Sequence, residues 1–151
     1  MKPIHSFVFG LTLITSTLML STQASASPTC DLAKAAQQLG TAHFISADQK
    51  YPVVSYQIDD ILYAISPRIT LVSKEEQCGF ASCSQGLTYK ATVKVTGLNA
   101  ASCQAFGSKI ETTTVTVADS QPLAVLLKVG GLSISLQAFD LTEGYQVVAF
   151  K

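Results

Sequence analysis

The residues with the most chemistry to offer are four cysteines: Cys30, Cys78, Cys83 and Cys103. A zinc-type site would need several Cys, His or carboxylate ligands at ligand spacing. Cys78-x-x-x-x-Cys83 is wider than the usual two-residue knuckle and no second pair follows it, so no metal ligand set is assigned. Disulfides are the expectation, and four cysteines allow three pairings. Gly79 lets a short loop close between Cys78 and Cys83, which leaves Cys30 for Cys103; the alternative joins Cys103 to Cys78 or Cys83. The closed loop Gly79-Phe80-Ala81-Ser82 is the candidate binding loop, with Phe80 as an apolar anchor if it points to solvent and as a core residue if it folds under.

Other chemistry is thin. One histidine, His43, follows the N-terminal segment, and it stands beside Phe44 and Ile45. A Ser-His-Asp arrangement needs a base placed by the fold, and nothing local recommends His43 for that work. Asp59-Asp60 could be an acid pair, but adjacent strand residues point to opposite faces, and in a turn both are ordinary turn formers. No catalytic residue, no cofactor-binding loop and no cofactor is assigned. Thr88, Thr92 and Thr96, with Thr112, Thr114 and Thr116, form two hydroxyl rows that could meet a sugar-like surface. Threonine's preference for wet strand faces accounts for the rows equally, and the interspersed Lys90 and Lys94 favour that plainer account.

The elements that must position these residues read as mostly antiparallel β. Tyr89, Ala91, Val93 and Val95 alternate with polar neighbours from Thr88 to Thr96, the period of a half-buried strand. Ala124 to Val129, Gly130-Gly131 and Leu132 to Phe139 form a hairpin signal, because two glycines accept a turn with positive φ. Val53 to Ile58, Ile61 to Ile65, Ile69 to Ser73, Glu111 to Ala118 and Tyr145 to Phe150 supply the remaining strands, with Lys74 to Gln77 as a solvated turn. Two short helices are expected. One is Cys30 to Leu39, with Leu32, Ala35, Ala36 and Leu39 on one face; the other is Asn99 to Phe106, with Asn99 as N-cap. The expected class is therefore α+β: about eight strands in a curved sheet or sandwich, with two short helices on one side.

The compartment is read from the N-terminal segment. A short positive start at Lys2, an apolar stretch from Phe7 to Leu20 and Ala24-Ser25-Ala26 have the form of a cleavable signal peptide, residues 1–26. Residues 27–151 then form one domain, exported to the periplasm or the extracellular space, where cysteines pair. The apolar stretch is shorter than the ~20 residues that span a bilayer, so no mature transmembrane segment is expected. With Lys2 removed, nine of the ten Lys/Arg remain against ten Asp/Glu, a balance of −1 with no basic run. Nucleic acid is accordingly not expected as a partner.

The stretch Val95-Thr96-Gly97-Leu98-Asn99-Ala100-Ala101-Ser102-Cys103-Gln104-Ala105-Phe106-Gly107-Ser108 resembles a segment of the globular heads of type IVb pilins and minor pilin-like proteins. Gly10-Leu11-Thr12-Leu13-Ile14 also looks like a prepilin cleavage site. Where a pilin carries glutamate this chain has Thr15, and its apolar run ends by Leu20. The resemblance implies a non-catalytic pilus or pilus-associated subunit. Taken together, the residues point to an exported, non-enzymatic protein that binds or assembles with another extracytoplasmic protein. The alternative is a secreted enzyme inhibitor that presents the Cys78-Cys83 loop.

Overall fold

The computed structural model describes residues 30–151, so the expected signal peptide, residues 1–26, lies outside the described residues. Among the described residues, one short helix, α1 (Asp31–Lys34), precedes eight strands. These are β1 (His43–Ser46), β2 (Val54–Ile58), β3 (Ile61–Cys78), β4 (Cys83–Asn99), β5 (Ala105–Ala118), β6 (Leu123–Val129), β7 (Leu132–Ala138) and β8 (Gly144–Phe150). They form two antiparallel sheets, ordered β2-β3-β4-β5 and β1-β8-β7-β6. The chain starts in the second sheet, crosses to lay down the first as a meander, and returns to complete the second.

The architecture is thus an all-β sandwich and not the expected α+β fold with two helices. The Cys30–Leu39 helix shrinks to the single turn Asp31–Lys34 because the chain beyond it is drawn into extended pairing with β2. The Gln37 amide donates to the Ser55 carbonyl (2.7 Å) and the Gln57 amide to the Gln37 carbonyl (3.2 Å). The Asn99–Phe106 helix is instead a tight connection between β4 and β5. Asn99 Oδ1 accepts from the amides of Ala101 (3.0 Å) and Ser102 (3.1 Å), which is N-cap chemistry. Cys103 then takes φ +58 and the chain enters β5 at Ala105. Strand pairing with β4 outcompetes continuation of the helix.

Alternation explains the core. In β6, Leu123, Val125, Leu127 and Val129 are buried while their neighbours are exposed; in β7, Leu132, Ile134, Leu136 and Ala138 are buried likewise. They meet Ile65, Ala91, Val93 and Val95 from the opposite sheet. Gly130 and Gly131 both have positive φ and make the two-residue turn between β6 and β7. Gly144 begins β8 at φ +144, and a Cβ there would run into the Ile45 carbonyl of β1.

Two tyrosines stitch the sheets together. Tyr56 on β2 is fully buried, and its hydroxyl faces the carbonyls of Thr41 (2.9 Å) and Val147 (3.1 Å). Burial pushes its pKa up, with a backbone hydrogen bond at Ala149 opposing the shift. Tyr145 on β8 donates to the Pro67 carbonyl of β3 (3.2 Å), and burial pushes this phenol up to about 12. Pro67 itself is tolerated because β2 pairs with β3 only as far as Ile65, so no ladder bond is lost on that side.

A second, smaller cluster lies on the outer face of the first sheet. Cys30, Leu62, Ala64 and Leu98 are buried there under the segment that carries α1, and Leu32, Ala36 and Cys103 pack against them. The Ser55 hydroxyl donates to the Leu32 carbonyl (2.7 Å), and Cys30 pairs with Cys103 at a Cα separation of 5.2 Å.

The Tyr145 phenol ionises near 10 when unfolded and near 12 when folded, so the folded state holds its proton longer. The stability this confers is complete below the unfolded value and is lost as pH rises through the folded one. Urea unfolding at about pH 9 and about pH 11 should show that loss, and Tyr145→Phe should flatten it while costing about 1 kcal/mol at neutral pH. An equally steep loss in the phenylalanine variant contradicts the assignment. The Cys30–Cys103 bridge closes a separation of 73 residues and Cys78–Cys83 one of 5. Loop entropy gives about 4 kcal/mol for the first and about 2 kcal/mol for the second. Replacing Cys30 and Cys103 by serine should therefore lower the urea midpoint more than replacing Cys78 and Cys83.

Candidate functional site

The strands of the two sheets differ in length, and the difference builds the site. β3 and β4 have 18 and 17 residues, whereas β6, β7 and β8 have 7 each. Beyond the Gly86–Ala118 pair only β3 and β4 continue, as a two-stranded arm. Every residue of β3 from Lys74 to Cys78 and of β4 from Cys83 to Gln85 is exposed. Lys74 to Gln77 is therefore paired strand, with Lys74 opposite Leu87 and Gln77 opposite Ser84, rather than a solvated turn. Its charged sequence hides the strand because no face of it meets a core.

The arm ends in the candidate loop. Cys78 and Cys83 face each other in the ladder and form the second disulfide, with Cα atoms 4.0 Å apart. Inside it the Gly79 amide donates to the Ser82 carbonyl (2.9 Å). Gly79, Phe80, Ala81 and Ser82 are all exposed, and Phe80 is the most exposed large apolar residue among those described, at 115% of its reference area. Phe80 does not fold under the loop. A two-stranded ribbon is marginal alone, so the disulfide at its end restrains fraying where the aromatic ring projects. Glu76 lies near Cys78 and Cys83, but both sulfurs are committed to the disulfide and offer no thiolate.

Where the arm leaves the sandwich, a cleft of about 780 Å³ opens between the sheets. Ile69, Leu71, Leu87, Tyr89 and Val117 line its ribbon side, Tyr51 and Pro52 the β1–β2 connection, and Phe139 and Leu141 the β7–β8 connection. Phe139 and Tyr51 are largely exposed at its mouth. At the rim, Asp140 Oδ1 accepts from the Thr142 hydroxyl (2.7 Å) and amide (2.9 Å). Those bonds, the hydroxyl's first, hold the Asp140 carboxyl below the usual carboxylate range. The cleft comes from five separate stretches of chain, and no local motif announces it.

The remaining candidates are dispersed. His43 is half-buried on β1 opposite Val147. Asp59 and Asp60 form the β2–β3 turn: Asp59 has φ +51, the Gln57 side-chain amide donates to its carbonyl (3.0 Å), and the Asp60 carbonyl accepts from the Ala100 amide (3.0 Å). The two aspartates therefore act through their backbone as turn formers. The threonine rows of β4 and β5 do come together, as hydroxyl pairs on the outer face.

A ring that touches only solvent contributes little to folding. Phe80→Ser is expected to change the unfolding free energy by no more than about 0.5 kcal/mol in urea titration; a loss above about 2 kcal/mol would mean the ring packs on the protein. Comparison of the chain with known family models, characterised proteins and solved structures finds no match.

Proposed function

We propose that the chain is an exported, non-enzymatic binding or assembly protein that engages an extracytoplasmic protein through the tip of its β3–β4 arm. The observation that carries this reading is Phe80, a fully exposed aromatic ring on a four-residue loop closed by the Cys78–Cys83 disulfide. Aromatic anchors seated in a partner's pocket supply much of the energy of protein association. A loop already held in one conformation loses less entropy on docking. The two disulfides suggest an oxidising, extracytoplasmic environment, and among the described residues no helix is long and apolar enough to cross a membrane. The likeness of Val95–Ser108 to pilin heads makes a pilus component the first partner to test.

The same tip supports a second reading, that of an inhibitor whose loop enters an enzyme cleft, because a rigid projecting hairpin suits a concave site. A photo-crosslinking residue placed at position 80 of the full chain, in cells that export it, tests both. A discrete adduct is expected at position 80 and not at position 126, an exposed site on β6. It should disappear when Cys78 and Cys83 are replaced by serine. A pilus subunit in the adduct supports assembly and a hydrolase supports inhibition. Identical adducts at both positions, or none at position 80, would overturn the arm as the binding element.

A further inference from the structure

The outer face of the first sheet gathers cations that the sequence keeps apart. Strand register sets three successive rows across β3, β4 and β5: Ser66, Lys94 and Ile110; Arg68, Thr92 and Thr112; Thr70, Lys90 and Thr114. All three rows lie on the side opposite the buried Ala91 and Val93. Arg68 falls in the row between Lys90 and Lys94, diagonal to each at about 7–8 Å. The three side chains are exposed. Among the described residues, the ion pair is Lys34 with Asp31, and none of these three cations meets a carboxylate. Three of the chain's ten Lys/Arg thus stand together, in a sequence whose formal net charge is zero. Like charges placed this way repel, and an anion laid across them relieves the repulsion.

Hydroxyls alternate with these cations. Thr96 bonds Ser108 (2.9 Å), Thr92 bonds Thr112 (3.1 Å) and Thr88 bonds Thr116 (2.8 Å), one pair in every second row. In each pair one hydroxyl donates to the other, which fixes both side chains and leaves the acceptor's own proton and several lone pairs free. Along β4 the order is hydroxyl pair, lysine, hydroxyl pair, lysine, hydroxyl pair, with rows about 7 Å apart. The α1 segment covers the adjoining part of this face at Leu62 and Leu98 but leaves these rows open.

We propose that this face binds an acidic polysaccharide, a chain that repeats anionic groups and hydroxyls along its length. The three rows hold no aromatic residue on which a base could stack, and stacking is what single-stranded nucleic acid requires. Their one apolar side chain, Ile110, offers little to a bilayer interior. A face with cations for the anions and fixed hydroxyls for the sugar oxygens fits a glycan better than either.

Titration of the full chain with heparin, neutral dextran and phosphatidylglycerol vesicles tests the proposal. Heparin is expected to bind with an affinity that falls as salt rises, and dextran and vesicles are not. The triple variant Arg68→Gln, Lys90→Gln, Lys94→Gln should weaken heparin binding about tenfold or more. The control triple Lys109→Gln, Lys128→Gln, Lys151→Gln removes the same net charge elsewhere and should change it less than about threefold. Thr92→Val with Thr112→Val should weaken binding by a few-fold at constant salt. Circular dichroism and urea melts establish that each variant is folded. Equal losses in the two triples, no heparin binding by the parent chain, or binding to the vesicles as tight as to heparin would each overturn the assignment.

Discussion

The structure turns on a mismatch between two sheets. Strands of seven residues reach about 24 Å, whereas β3 reaches about 60 Å. The second sheet can cover only part of the first, and the hydrophobic core exists only where they overlap. Ile65, Ala91, Val93 and Val95 are buried because β6, β7 and β8 lie over them. The same strands a few residues further on are exposed because nothing opposes them. Tyr56 and Tyr145 hold the overlap in place by donating across it, which fixes where coverage stops.

Each candidate surface is a consequence of that mismatch. The cleft is the step at which the long ribbon leaves the shorter sheet, so its walls are core-type side chains that lost their cover. The arm is the remaining length, kept as a ribbon by strand pairing and closed at its end by Cys78–Cys83. The outer face of the first sheet carries the rows shared by β3, β4 and β5, and their register is what brings Arg68 into line with Lys90 and Lys94. The two disulfides divide accordingly: Cys30–Cys103 pins the N-terminal turn over the small second cluster, and Cys78–Cys83 restrains the arm.

What the sequence made legible were the features set by local period. The alternation in Thr88 to Thr96 and Leu132 to Ala138, and the Gly130-Gly131 turn, read directly as strands and hairpin. The helices misled because their signals are also local but are decided elsewhere. Asn99 caps amides here without a helix behind it, and Gln37 prefers a partner on β2. Lys74 to Gln77 lacks any apolar period because it is strand with solvent on both faces. The cleft and the cationic rows were invisible for a different reason. Both depend on the β3–β4 register, including the shift between Leu71 and Ser73, and no single segment encodes that register.

The most direct test of the account is hydrogen exchange of the native chain, read residue by residue along the arm. If β3 and β4 stand out from the sandwich as a paired ribbon, ladder amides between Glu76 and Cys78 and between Cys83 and Gln85 will exchange well below unfolded rates. Reducing Cys78–Cys83 will accelerate them while leaving Val93 and Ile134 protected. Exchange at unfolded rates throughout the arm with the disulfide intact would contradict the account, because a fraying arm cannot present Phe80 in a fixed place.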